Sequence, residues 1–417
     1  MPLPRSSLAA RTRRRWAILS AAPHRLFFLA GSVQLVAAML YWLAVLVGLY
    51  TGAWRAPATT LPPVAAHSFL MLYGLFPFFI FGFLDTSFPH WMDQGPLSRR
   101  AYLAPWLLMS AGMAAFYAGL FTQRSVLIAG TVAYAGGIAL NMLLLGVRLV
   151  QSTSARKWQT IPVLGGLAGG ALGGACYGVW LAGGSGAWLQ ASINAGMWLF
   201  LVPLVVAVGF RLIPFFSSRK LADYTPVKPA WALPLIGLLL ALRFALLSAG
   251  AMHWLLLCDL PLAAAGAALS VRWQSWRSLR VPLLGMLHVS FAWFGLGMAL
   301  YSANDALALA GAPGLGLGPL HAIGIGLIGG MLIAMASRVS LGHSGRALVA
   351  DGLTRWAFAA IQIAAASRVI ASVPSCLSGV YPVLVIVAVI AWLAATLPWM
   401  ARFGTLYLRP RADGRRG

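Results

Sequence analysis

Long apolar stretches dominate this chain, and each has the length that crosses a bilayer. A hydrocarbon core calls for about 17 to 25 mostly apolar residues per helical span. Such runs fall at 27–49, 64–84, 103–121, 126–149, 161–183, 189–213, 230–250, 254–270, 281–301, 320–337, 354–373 and 380–402. Lipid offers no partner for exposed backbone N–H and C=O groups, so a spanning chain is helical or a closed barrel. No barrel-like alternation of apolar and polar residues runs through these stretches, so they are read as helices. Hydrophobic residues make up 60% of the chain and charged ones 9%, which excludes a soluble domain of this length. Glycine-rich segments such as Gly165–Gly170 suit close helix packing. The expected fold is an all-α polytopic membrane protein of about twelve helices: a basic tail at 1–26, a membrane domain at 27–402 and a second basic tail at 403–417.

Orientation follows from the basic residues, because cytoplasmic loops retain Lys and Arg. Arg5, Arg11, Arg13, Arg14, Arg15 and Arg25 precede or open the first stretch. Every second connection continues the pattern, with Arg99 and Arg100; Arg156 and Lys157; Arg219, Lys220 and Lys228; Arg272, Arg277 and Arg280; Arg346 and Arg355; and Arg409, Arg411, Arg415 and Arg416. The intervening connections hold little beyond Arg55 and Arg124. Both termini are therefore expected in the cytoplasm. Topology and anionic lipid account for the formal charge of +23, so no nucleic-acid partner is implied. The first stretch is too long for a signal peptide and lacks a small-residue cleavage site. Cys176, Cys258 and Cys376 show no CxxC spacing and read as packing residues.

The chain has seven histidines and no glutamate, so histidine is its main stock of metal ligands. His67 opens the second stretch and His321 the tenth. Both stretches run outside to inside in this topology, which sets the two imidazoles at one depth in the outer part of the bilayer. Two such rings on different helices can bracket a porphyrin iron; a capped or interfacial role is the plain alternative for each. His288 and His343 lie toward the inner side, where a second metal site or ordinary hydrogen bonding serves equally. His24, His90 and His253 read as interfacial. Arginine inside a span calls for a partner. Arg243 and Arg368 both fall in outer halves, where guanidinium suits a haem propionate. For Arg243 the competing partner is Asp259, at similar depth on the next helix; Arg368 has no acid in view. Arg211 and Arg338 sit at inner ends. Asn194 lies near the outer end of the sixth stretch, as a cavity donor or as ordinary packing.

Several strings resemble the NnrS family, haem- and copper-containing membrane proteins associated with nitric oxide stress in denitrifying and related bacteria. The most specific begins His321-Ala-Ile-Gly-Ile-Gly and continues through Met331 to Ser337-Arg338-Val-Ser-Leu-Gly-His343-Ser-Gly-Arg346. Supporting strings are Gly209-Phe-Arg211-Leu-Ile-Pro214, Leu287-His288-Val-Ser-Phe-Ala-Trp293, Arg25-Leu-Phe-Phe-Leu29, His67-Ser-Phe-Leu-Met71-Leu-Tyr-Gly74 and Phe81-Gly-Phe-Leu-Asp85-Thr-Ser-Phe-Pro89. The resemblance spans most of the chain. It implies a multi-pass protein of the bacterial inner membrane that holds haem, b-type by expectation, and handles or protects against nitric oxide and its iron complexes. The family commonly carries a second histidine and a glutamate in the second-helix motif, and this chain has Phe69 and Leu70 there. That departure implies weak or absent copper. The pairing of the second and tenth helices is also similar to the low-spin haem site of haem–copper oxidase main subunits, a fold-level analogy. Their histidine cluster for copper on the sixth and seventh helices has no counterpart here, which argues against oxygen reduction.

Two other functions fit the same plan. One is a twelve-helix secondary transporter, with Asp93-Gln-Gly-Pro-Leu-Ser-Arg99-Arg100 faintly similar to a carrier loop; against it, carriers place acids at midplane, where this chain has almost none. The other is a haem-based nitric oxide sensor without catalysis. The sequence assigns neither a reaction nor an electron donor.

Overall fold

The computed structural model describes residues 8–154, 157–373 and 379–414. Arg5, Arg156, Cys376, Arg415 and Arg416 lie outside them. Each of the twelve apolar stretches coincides with a helix, and the described residues contain no strand. In chain order the helices are α1 (Pro23–Tyr50), α2 (Pro63–Trp91), α3 (Arg99–Phe121), α4 (Arg124–Val150), α5 (Ile161–Leu181), α6 (Gly186–Ser218), α7 (Ala232–Ser248), α8 (Met252–Arg272), α9 (Pro282–Leu309), α10 (Gly318–His343), α11 (Gly352–Ile370) and α12 (Tyr381–Tyr407). Ten of them are long and apolar enough to cross a membrane; α7 is shorter and α11, which carries Arg355 and Arg368, is less apolar. A further helix, Leu8–Leu19, carries the N-terminal arginines.

Contacts between connections sort the helix ends into two faces. On one, Ser152 donates to the Met92 carbonyl, Gln94 to that of Arg148, and Arg277 reaches the Ala222 carbonyl. Tyr102 donates to Ser20 there, and Arg25 to the carbonyls of Tyr407 and Arg409. On the other, Thr60 donates to the Gly119 carbonyl and Arg124 to that of Leu181. The first face gathers the connections rich in Arg and Lys. Across α1 to α5 these contacts make successive helices alternate in direction.

Small residues set the closest approaches. A Cβ at Gly119 would meet the backbone of Leu127, and one at Gly169 the Leu199 carbonyl. Apolar side chains cannot draw helices together in lipid as they do in water, so such backbone contact is a principal source of association.

Three helices, α2, α6 and α10, break regular α-geometry in their N-terminal halves. π-Helical segments occupy Leu70–Leu75, Ala195–Leu201 and Ala322–Gly329. Wider turns disturb the backbone ladder, and in lipid the affected carbonyls need other donors. Two tyrosines serve: Tyr134 of α4 donates to the Gly74 carbonyl, and Tyr73, inside the first π-segment, donates to Ser192 of α6. Between the same three helices and α1 lies an open apolar cleft, lined among others by Phe28, Phe79, Leu204, Val208, Met331 and Met335.

Candidate functional site

His67 lies four residues inside the start of α2, after Pro62 and Pro63, and His321 lies three residues inside α10, after Pro319. Proline fits the first turn because its missing N–H is not needed there. These starts place both imidazoles about one turn inside the N-terminal ends, and a π-segment follows each within three residues. The structure brings them together: His67 lies within reach of the charge fields of His321 and Arg368.

The ring nitrogens differ in their bonding. His321 Nδ1 lies 2.8 Å from the Leu317 carbonyl oxygen, which can only accept, so Nδ1 carries the proton and Nε2 keeps its lone pair. That is the tautomer a metal-ligating histidine uses, with its second nitrogen fixed by a backbone carbonyl. His67 Nδ1 is buried without a hydrogen-bond partner, and the ring stacks on Trp42 of α1 with centroids 4.0 Å apart. Arg368 Nη2 lies 3.4 Å from His321 Nδ1, and Nη1 is buried without a partner. The guanidinium also faces the Tyr381 ring of α12. An arginine held this deep with an open donor suits an anionic group, and the two imidazoles suit a transition metal.

Arg243 does not join this group. Its Nε and Nη2 grip both oxygens of Asp259 at 2.6 and 2.9 Å, and its guanidinium lies over Trp198 and Tyr301. Of its two sequence-level partners, Asp259 is the one the fold supplies. His288 and His343 find separate partners. His288 has Ser217 at 3.0 Å from Nε2 and Ser275 at 3.0 Å from Nδ1, so both nitrogens are engaged. His343 lies against His24, ring centroids 4.6 Å apart. The described residues contain no cluster of three or more His, Cys, Asp or Glu placed to hold a metal. Asn194 accepts from Gln190 of its own helix and immediately precedes the α6 π-segment.

Where the resembled motif has histidine and glutamate, the structure has apolar packing. Phe69 stacks on Phe116 at 4.5 Å and lies 4.6 Å from the Tyr177 ring, while Leu70 is fully buried. Sequence reading missed Trp42, Leu317 and the three π-segments. Pro62, Pro63 and Pro319 were the available signal for the helix starts; nothing local announces the wider turns.

A search of curated proteins finds none that matches this chain. Residues 18–411, nearly the whole chain, match the family described as "NnrS protein". This multi-pass helical chain therefore belongs to the NnrS family.

Proposed function

We propose that the protein is a haem-binding member of the nitric oxide response, in which His67 and His321 would ligate the iron and Arg368 would pair with an anionic group of the cofactor. Family membership supports the nitric oxide role. The observation that carries the haem reading is the convergence of two outer-half imidazoles, one with its tautomer set by Leu317 and one with an unpartnered nitrogen, beside an open guanidinium. Bound haem would supply a redox-active iron centre. The chain's own residues hold and orient it: Leu317 fixes the His321 ring, Trp42 fixes the His67 ring, and apolar α-helical surface excludes water. Copper is expected to be weak or absent, because Phe69 and Leu70 close that position with carbon.

Twelve spans with both termini cytoplasmic, in a bacterial inner membrane, complete this reading. Its support is the gathering of basic connections on one face. The test is the absorption spectrum and haem count of purified protein, with and without nitric oxide. His67→Ala and His321→Ala are each expected to lose or alter the Soret band while the protein stays in the membrane. Wild-type haem content and spectrum in both variants would reject the site.

A further inference from the structure

A second buried polar cluster lies between α6, α7, α8 and α9, apart from the histidine pair. Its centre is Arg243, whose guanidinium is held on its faces by Trp198, 3.9 Å from the ring centroid, and Tyr301, 4.3 Å. Asp259, with a side-chain exposure of 0%, takes two of its N–H groups, one on each carboxylate oxygen. Asp305, 7% exposed, sets a second carboxyl beside Asp259, and its Oδ2 has no hydrogen-bond partner. It sits four residues before the end of α9. The adjacent Asn304 accepts from the Leu315 amide and ties the following loop down over that end.

The charges do not balance. One guanidinium faces two carboxyl groups, and the helices packed around them supply no second cation. The other titratable neighbours are Cys258 and Tyr301; His253 is exposed at the start of α8, while Arg211, Arg272 and His288 lie toward the opposite ends of their helices. An uncompensated anion in a low-dielectric interior is strongly disfavoured. Two carboxylates hydrogen-bond only if one carries a proton, because an ionised carboxylate has no hydrogen to donate. Both Asp259 oxygens already accept from Arg243, so the proton belongs between Asp259 and Asp305 and brings the cluster to neutrality.

We propose that Asp259 and Asp305 form a proton-binding site that holds one shared proton and exchanges it at the loop-310 end of α9. The clamp couples this site to α6. Loss of the proton sets a second anion against Arg243, and the guanidinium's other contact, Trp198, belongs to the α6 π-segment. The proton is thus a ligand whose release changes the charge facing a wide turn of the helix beside the histidine site. This inference does not depend on haem.

The experiment is infrared spectroscopy of the full-length purified protein across a pH titration, in sodium chloride and in choline chloride. Asp85→Asn is the reference background, because Asp85 is another buried acid, facing Asn141. Wild type is expected to show a protonated-carboxyl band that titrates at the same midpoint in both salts. Asp305→Asn should lose one carboxyl per chain from that band and keep its fold, since the amide still donates to Asp259. If that variant misfolds, Asp259→Asn tests the same proton and should also lose one carboxyl. A band unchanged in a folded variant would overturn the proposal. So would a wild-type band that Asp85→Asn removes completely, or one that sodium suppresses, which would make the site one for a metal cation.

Discussion

Trp42 lies flat on His67, ring centroids 4.0 Å apart and planes inclined by 13°. An aromatic stack of this kind is worth about 0.5–1.5 kcal/mol beyond buried area, and here it orients an imidazole whose Nδ1 has no hydrogen bond to do so. Trp42→Leu should therefore keep the protein folded but weaken haem retention by about 2- to 10-fold, the equivalent of that energy. Haem content against detergent washing measures it. Retention equal to wild type would mean that the stack does not position the ring.

Topology is open to reporter fusions. Fusions within 51–62 and 302–319 should read periplasmic, and those within 151–160 and at the C-terminus cytoplasmic. A periplasmic C-terminus would remove the matched depth of His67 and His321.

Gly326 sits in the α10 π-segment with the Trp293 indole where its Cβ would be, and that indole donates to Gln362 of α11 at 2.7 Å. Gly326→Ala gains about 1 kcal/mol of helix propensity. It also displaces Trp293, at about 1–3 kcal/mol for overpacking and about 1 kcal/mol for the strained hydrogen bond. A net lowering of thermal stability is expected, and a melting temperature at or above wild type would contradict the close approach.

Copper provides a test at α2. The unmodified protein is expected to purify with near-stoichiometric haem and little copper. Phe69→His with Leu70→Glu puts two polar groups among Phe116, Tyr134 and Tyr177, so the metal-free variant should lose several kcal/mol of stability. Added copper should raise its melting temperature. Copper that leaves the melting curve unmoved would show that the positions form no metal site in this chain. Tight copper in unmodified protein, surviving chelator and lost in His288→Ala or His343→Ala, would place a second site at the inner side instead.

Asp351 caps α11, accepting from the Thr354 hydroxyl at 2.6 Å and the Thr354 amide at 2.9 Å. The Thr354 hydroxyl holds the carboxyl below its ordinary range against the opposing effect of burial, and the Thr354 amide and Arg402 add to the lowering. Because the folded value is the lower one, the cap's contribution is complete above the unfolded value of about 3.9 and is lost as pH falls through the folded value. Asp351→Ala should cost about 1 kcal/mol at neutral pH. The difference between variant and wild type should shrink in acid; a constant difference would rule out this cap as its source.

The helices and their apolar character were legible in the sequence because each depends on local quantities, namely run length and hydropathy. The placement of His67 and His321 in the first turns of their helices followed, since position is counted along a helix from its end. Arg243 with Asp259 was legible for the same reason: antiparallel neighbours place residues at similar depths. Rotation about a helix axis is different, because close packing in lipid decides it. Only the tertiary structure turned His343 toward His24, engaged both nitrogens of His288, added Asp305 to a pair already complete in sequence, and set Trp42 against His67. The π-segments of α2, α6 and α10 were hidden for a related reason. Their turns contain ordinary apolar residues, and what sustains them is the donors and small-residue contacts of neighbouring helices, such as Tyr134 at Gly74 and Trp293 at Gly326.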